Sequence, residues 1–166
     1  NKVISRFGVM FFGNPIEAFK NIYTSIQDGG SLHFVCWTDV VENEFFTISA
    51  NIIIKHLNKD FPEITRAPGP FAFSEKDYIE QILTTSGFKN IKVEKVNSLI
   101  STKDTPEKDG DLLFSIGLGG RLLSEANLSK RELSIIKNEI IEASQKRREN
   151  GKTTYNAFLN YVSATK

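Results

Sequence analysis

The chain has 166 residues, of which 40% are hydrophobic and 25% are charged, and its net charge is +1. This length fits one domain that buries a core without disulfides or metals. The near-zero charge favours neither nucleic acid nor an anionic membrane surface as a partner, and no apolar run is long enough to span a bilayer. Because Cys36 is the single cysteine and the start shows no signal-peptide pattern, we expect a cytoplasmic protein.

The first predicted element is a strand over residues 3–12. Apolar residues occupy both alternating sets of positions in this run, VISRFGVMFF. That pattern is typical of a strand in a parallel sheet that helices cover on both faces. We therefore expect this strand to be buried on both sides and paired on both edges.

A helix start follows the first strand at once. Asn14 is the predicted N-cap, Pro15 occupies the first helical position and Glu17 stands where a capping box has its acid. A glycine pair at 29–30 ends this helix, and a second strand of the buried type, SLHFVCW, comes directly after it. The order strand, helix, strand predicts a βαβ unit with a right-handed crossover.

The middle of the chain alternates helical segments with loops. TDVVENEFFTISANIIIKHLNKDF is predicted to be helical from about Asn43, and prolines interrupt the residues after it. Ser74 with Asp77 begins another predicted helix, which Gly87 ends. The segment NIKVEKV alternates between apolar and polar residues, which predicts a strand with one solvent-exposed face. TPEKDGD is predicted as a polar loop, and LLFSIGLGGRLLSEA as a helix broken by glycines.

The last part of the chain predicts one helix and one strand. Ser129 and Glu132 form a capping box, and the basic run QKRRENG is predicted as the last turn of that helix, ended by Gly151. TTYNAFLNYVSAT is rich in aromatic and β-branched residues, as strands are, and could lie antiparallel to its neighbours. The whole pattern predicts an α/β fold: helices flank a mostly parallel sheet of about four strands whose last strand is antiparallel.

Few residues of the chain indicate chemistry. The histidines, His33 and His56, have no carboxylate or cysteine at a metal-ligand spacing, so we expect no metal site. Cys36 is expected to be a buried, unreactive cysteine. The glycines at 117–120 are expected to serve close packing or a bend, because no acid follows at the end of a next strand as nucleotide loops require. KRRENGK is expected to be a solvated helix end and not a nucleic-acid site.

The quoted segments together resemble one enzyme family. SRFGVMFFGNPIEAFKNIYTSIQDGGSLHFVCW resembles the fourth strand, the following helix and the fifth strand of class I S-adenosylmethionine-dependent methyltransferases. PGPFAFSEKDYIEQILTTSGFKNIKVEKV is similar to the loop, helix and sixth strand that follow, and TTYNAFLNYVSATK to the antiparallel last strand inserted between strands five and six. SRFGVMFF with PGPFAF is similar to a bacterial branch that acts on small molecules. The resemblance implies a partial Rossmann-like fold.

The resemblance covers only the later part of that family's domain. It implies that residues 1–166 are a single domain corresponding to the C-terminal part of a methyltransferase domain. The family's glycine-rich cofactor loop and ribose-binding acid have no counterpart in these residues. The implied activity is methyl transfer from S-adenosylmethionine to a small-molecule acceptor. We expect this chain alone neither to bind the cofactor nor to be active.

The resemblance also implies a site. Ser5, Arg6 and Phe7 fall where the family's fourth strand reaches the methionine end of the cofactor, so they are the predicted cofactor-binding residues. No residue stands out as a catalytic base. The candidates, with nothing in the sequence to separate them, are Asp77, Tyr78 and Tyr155.

An alternative function is a non-catalytic module that associates with itself. If the first strand lacks neighbours on one side, its free edge offers a template for pairing with a second copy, and uncovered apolar surface tends to form interfaces. This interpretation predicts a homodimer formed through the edge of residues 3–12.

Overall fold

The computed structural model describes all 166 residues and divides them into two compact units. The first, here called the sheet unit, comprises Asn1–Val40, Ile64–Asn97 and Phe158–Lys166. The second, here called the helical unit, comprises Val41–Glu63 and Ser98–Ala157. None of the helices combines the length and the apolar character needed to cross a membrane.

The chain forms five strands and six α-helices. The strands are β1 (Lys2–Arg6), β2 (Ser31–Trp37), β3 (Lys89–Thr102), β4 (Arg148–Glu149) and β5 (Lys152–Thr165). The helices are α1 (Pro15–Ser25), α2 (Glu44–Leu57), α3 (Lys76–Thr85), α4 (Pro106–Ser115), α5 (Gly117–Ser124) and α6 (Lys130–Gln145).

The sheet has the strand order β1-β2-β5-β3, and β4 pairs with β5. β1 and β2 are parallel, with Ile4 opposite His33. β2 and β5 are antiparallel, with Phe34 opposite Val162. The sheet is therefore parallel at β1 and β2 and continues antiparallel. The predicted α/β class is confirmed, as is an antiparallel last strand, which is inserted between β2 and β3.

The core of the sheet unit lies on one face of the sheet. Residues of β2 alternate between buried and half-buried, so that Leu32, Phe34 and Cys36 point into the core. The ring of Phe19 from α1 packs against Phe34 and Phe73, with centroids 5.7 and 5.9 Å apart. Helices α1 and α3 contact each other.

The first strand is shorter and more exposed than predicted. β1 ends at Arg6, and Phe7 then adopts a left-handed backbone with φ 58°. A 3-10 turn at Val9–Phe11 follows, which buries Val9 and Met10. Ile4 is 76% exposed, so the predicted burial on both faces is wrong. The apolar run serves two structures in succession, a strand and a buried turn, and alternation alone could not separate them.

The helical unit contains α4 where a polar loop was predicted. Thr105 caps this helix through a bond that its hydroxyl accepts from Lys108 N at 3.4 Å, and Pro106 stands at the first helical position. The segment was predicted as a loop because its residues are polar, although Thr105 and Pro106 provide the N-cap and the first-position proline that often begin a helix.

The glycine-interrupted segment is a broken helix, as predicted. Gly117 has φ 62° at the break between α4 and α5. A Cβ on Gly119 would lie 2.7 Å from the Ser49 hydroxyl oxygen, which belongs to α2. The close-packing interpretation of these glycines is confirmed, because the absent side chain lets α5 and α2 approach.

The capping box of α6 is confirmed, but the end of the helix differs from the prediction. Ser129 N–H donates to a carboxylate oxygen of Glu132 at 2.7 Å, and Glu132 N–H donates to the Ser129 hydroxyl at 3.3 Å. The helix ends at Gln145, so the basic run is not its last turn. Instead, Asn150 and Gly151, at φ 50° and 76°, join β4 to β5 as a two-residue hairpin. Asn-Gly is the usual sequence for such a turn.

Candidate functional site

The candidate site lies in the sheet unit, where the parallel strands β1 and β2 end. In open α/β sheets, ligands bind at the carboxyl ends of parallel strands. β1 ends with Ser5 and Arg6, followed by Phe7, and β2 ends with Trp37. Parallel pairing brings these residues to one end of the sheet.

An aromatic pair dominates this end of the sheet. The rings of Phe7 and Trp37 stack with their centroids 4.5 Å apart and their planes 17° apart. Both side chains are half-buried, and the Phe7 N–H donates to the carbonyl of Val35 at 3.1 Å. A left-handed backbone at a bulky residue is uncommon and strained, and such residues cluster at ligand-binding and active sites.

The structure places the predicted cofactor residues on different faces of β1. Ser5 is opposite Phe34 and shares the core-facing side, where it is half-buried. Arg6 is opposite Val35, so it lies on the same face of the sheet as Trp37. Arg6 is exposed and forms no ion pair. Arg6 and Trp37 therefore share one face of the sheet, whereas Ser5 lies on the other, and the assignment of Ser5, Arg6 and Phe7 to the cofactor stays a prediction.

None of the three candidate bases is distinguished by its surroundings. Asp77 is exposed on α3. Tyr78 is half-buried, and the guanidinium of Arg66 lies 4.3 Å from its ring centroid while binding Glu75 through two hydrogen bonds of 3.0 and 2.7 Å. The Arg66 cation therefore contacts the face of the Tyr78 ring, and it does not activate the Tyr78 hydroxyl as a base.

Tyr155 belongs to the helical unit and is almost fully buried. Its hydroxyl lies 3.1 Å from the Ser144 hydroxyl. Burial, helped by the charge of Asp109, raises the pKa of Tyr155 despite the bond to Ser144. A phenol that ionises less readily is a poorer base at neutral pH.

Cys36 is buried and unreactive, as predicted. Burial raises the pKa of its thiol to about 12, and the thiol donates to the carbonyl of Phe73 at 3.3 Å. A neutral, enclosed thiol is not a nucleophile.

The two histidines are engaged in pairs. His33 Nδ1 lies 2.8 Å from the hydroxyl of Tyr161, and its Nε2 lies 3.1 Å from the hydroxyl of Ser31. His56 Nε2 lies 2.8 Å from a carboxylate oxygen of Glu139. No group of three or more histidine, cysteine or acidic side chains is placed to hold a metal ion.

A polar pocket in the helical unit was not predicted. It has a volume of about 510 Å³ and is lined by Glu44, Lys146, Arg147, Glu149, Thr154 and Asn156. The Asn-Gly turn in the basic run was the signal that could have located it, because the hairpin brings the run against β5.

Comparison with known proteins gives matches among solved structures. No family model and no curated protein matches the chain. A Bacillus halodurans protein described as a methyltransferase without an established activity is similar at a TM-score of 0.46 and 16% identity, over 99% of this chain and 68% of that one. Haemonchus contortus phosphoethanolamine N-methyltransferase 2 is similar in two structures, at TM-scores of 0.43 and 0.42 and identities of 15% and 16%.

The two nematode structures hold ligands. One contains phosphomonomethylethanolamine with S-adenosylhomocysteine, and the other contains S-adenosyl-L-methionine. Our chain is covered to 99% and spans 33% of the length of each of these proteins. These identities and TM-scores are too low to indicate the function of this chain.

Proposed function

We propose that this protein transfers a methyl group from S-adenosylmethionine to a small-molecule acceptor. Residues 1–166 would supply the acceptor side of the pocket, as the C-terminal part of a methyltransferase domain. The supporting observation is the strand order β1-β2-β5-β3, with the antiparallel β5 inserted between β2 and β3. This is the order that the resemblance implies for strands four to seven of the family.

The chemistry needs alignment more than it needs reactive side chains. A lone pair of the acceptor attacks the sulfonium methyl carbon, the carbon–sulfur bond breaks, and S-adenosylhomocysteine leaves with that electron pair. Holding the two reactants in line supplies most of the acceleration. A base is required only if the acceptor loses a proton, so the lack of a distinguished base is compatible with the proposal.

The cofactor would contact this chain at its methionine end, through Ser5, Arg6 and Phe7. The ribose and adenine contacts would come from segments that have no counterpart in residues 1–166. Saturable binding of the cofactor is therefore expected of a protein in which such segments are joined to residues 1–166, and not of residues 1–166 alone.

Calorimetric titration with S-adenosylmethionine and S-adenosylhomocysteine tests this proposal. In a protein that joins such segments to residues 1–166, binding is expected to change the emission of Trp37, the single tryptophan of residues 1–166. Phe7→Ala should weaken binding about tenfold or more, whereas Phe11→Ala, which alters an exposed phenylalanine, should leave it unchanged. Absence of cofactor binding by that joined protein would refute the proposal.

A second candidate function is self-association without catalysis. β1 ends the strand order and has β2 as its only strand neighbour, and its Ile4 is 76% exposed. Edge strands with free N–H and C=O groups pair readily with another chain. A second copy would pair antiparallel about a two-fold axis and form a homodimer. A dimer that binds no cofactor, even when the missing segments are joined to it, would favour this module over the enzyme.

A further inference from the structure

We propose that the polar pocket of the helical unit binds a free amino acid whose side chain is polar. The guanidinium of Arg147 would bind the carboxylate of this ligand, and a carboxylate oxygen of Glu44 would bind its ammonium group. All the residues that line the pocket belong to the helical unit. The pocket therefore shares no residue with the predicted cofactor site, and the proposal does not depend on the proposed function.

The lining of the pocket is polar throughout and carries charges of both signs. Two of its side chains are cations, two are carboxylates and two are uncharged hydrogen-bonding groups: Lys146 and Arg147, Glu44 and Glu149, Thr154 and Asn156. Because no apolar side chain lines the pocket, an apolar ligand would bury little apolar area there. The formal charges of the lining cancel, so its potential complements a ligand that also carries both signs.

The opposite charges in this pocket do not pair with one another. None of its two cations and two carboxylates forms an ion pair with a side chain. A ligand with an ammonium group and a carboxylate can bridge them, and each end then forms charge-assisted hydrogen bonds. Lys146 and Glu149 are exposed, so solvent and salt screen their charges. The half-buried pair, Arg147 and Glu44, is therefore assigned the two main contacts.

Arg147 and Glu44 are each held in place by a hydrogen bond to the backbone. Arg147 Nη1 donates to the carbonyl of Ala143 at 3.2 Å, and Glu44 Oε2 accepts from the N–H of Asn156 at 2.8 Å. The other guanidinium N–H groups and Glu44 Oε1 form no hydrogen bond within the chain, so they can bind a ligand without breaking a contact. Groups that are positioned before binding lose less conformational entropy when the ligand arrives.

The size of the pocket leaves room for the side chain of an amino acid. Its volume is about 510 Å³, within the range of roughly 300–1,000 Å³ that small-molecule sites have. The hydroxyl of Thr154 and the side-chain amide of Asn156 can each donate and accept hydrogen bonds. A ligand side chain that ends in an amide or a hydroxyl therefore fits this lining better than an aliphatic one.

Titration of residues 1–166 with L-glutamine, N-acetyl-L-glutamine and L-glutaminamide tests the two charged contacts. Glutamine should shift the NMR amide resonances of Thr154 and Asn156 saturably, with a Kd of about 1 mM or below. The acetylated and amidated forms each lack one charge and should bind about tenfold more weakly. Equal binding of the acetylated form would indicate a site for anions, and equal binding of the amide a site for cations. Either result, or unmoved resonances, would overturn the proposal.

Matched variants assign each charge to its residue. Arg147→Gln should abolish the preference for glutamine over glutaminamide, and Arg147→Lys, which keeps the charge, should retain it. Glu44→Gln should abolish the preference over N-acetylglutamine, although its amide oxygen can still accept the bond from Asn156. Arg131→Gln and Glu125→Gln, which alter exposed residues of the same unit, should preserve both preferences. An Arg147→Gln or Glu44→Gln protein that folds and keeps its preference contradicts the assigned contact.

L-Norvaline tests the polar side chain, because it has both charges and an aliphatic side chain. It should bind more weakly than glutamine, and equal or tighter binding would show that the pocket does not select a polar side chain. The outcome is independent of the enzymatic proposal. Glutamine binding by residues 1–166 would stand even if the protein with the added segments bound no S-adenosylmethionine, and cofactor binding without glutamine binding would reject the amino-acid site alone.

Discussion

Asp109 is a buried carboxylate in α4 whose Oδ2 atom has no hydrogen-bond partner, and its side chain is 4% exposed. Leaving such a group unsatisfied costs about 1–3 kcal/mol. Asp109→Ala should therefore raise the free energy of unfolding by about 1–2 kcal/mol, since the loss of the unpaired oxygen and the better helix propensity outweigh a small cavity.

Urea unfolding of the variant measures this change. Asp111→Ala is the matched control on the same helix, because Asp111 is exposed and pairs with Lys137. The control should change stability by less than about 0.5 kcal/mol. An Asp109→Ala protein that is clearly less stable would mean that the carboxylate stabilises α4.

The buried thiol of Cys36 predicts a loss of stability in alkaline solution. Its pKa is raised from 9.0 to about 12 in the folded chain, so above pH 9 the unfolded chain releases this proton and the folded chain keeps it. The contribution of the Cys36 thiol to the free energy of unfolding is complete below pH 9 and declines as the pH rises towards 12. Within this window, each additional pH unit lowers the free energy of unfolding by about 1.4 kcal/mol, because unfolding releases one proton.

Denaturant unfolding at pH 9.0 and 10.5 checks this slope. Over this interval, the free energy of unfolding of the wild type should fall by about 2 kcal/mol more than that of Cys36→Ala, because the other titrating groups are common to both proteins. Equal losses would show that the thiol ionises in the folded state.

At the scale of elements, the contact between α4 and α6 depends on a glycine. A Cβ on Gly110 would lie 2.4 Å from Cγ1 and 3.2 Å from Cα of Ile141. Gly110→Ala should therefore destabilise the protein by about 1–3 kcal/mol, despite alanine's better helix propensity.

Thermal unfolding of a double-mutant cycle measures this contact. Adding Ile141→Ala, which removes the Cγ1 atom, should recover part of the loss, so that the two changes are not additive. Gly13→Ala is the control, since a Cβ there meets nothing within 4 Å. Strictly additive effects of Gly110→Ala and Ile141→Ala on stability would show that the strain does not arise from contact between these two residues.

Elements whose signals are local could be predicted from sequence. The side chains of the N-caps Asn14 and Ser129 each accept a hydrogen bond from the backbone N–H three residues later, and both caps were predicted from the sequence. Thr105 and Pro106 carry the same kind of signal, but a polar, acidic run concealed it. The ends of β1 were missed because they depend on distant packing: Val9 and Met10 are apolar because they enter the core as a turn.

The candidate site was only partly readable from sequence. The resemblance pointed to Ser5, Arg6 and Phe7, but it could not place Ser5 and Arg6 on opposite faces or bring Phe7 onto Trp37. Those relations depend on the register of β1 against β2, with Arg6 opposite Val35, and on the positive φ of Phe7. Both are set by pairing across about thirty residues.

At the scale of the whole molecule, the free edge of β1 predicts self-association. Sedimentation at about 100 µM should give a dimer whose dissociation is concentration-dependent. Ile4→Lys should produce a monomer, because lysine on an edge strand opposes pairing. Leu112→Lys, which alters an exposed leucine of α4, should leave the dimer intact. A wild-type monomer at this concentration would contradict the prediction.

The position of β5 has a consequence for how the protein is made. β5 lies between β2 and β3, although the ribosome synthesises both of them before it. Until residues 152–165 leave the exit tunnel, two nascent strands wait with their facing edges open, and neither can complete its hydrogen bonds with the other. The growing chain is therefore most prone to aggregation between the synthesis of β3 and the emergence of β5, and chaperones would be needed most in that interval.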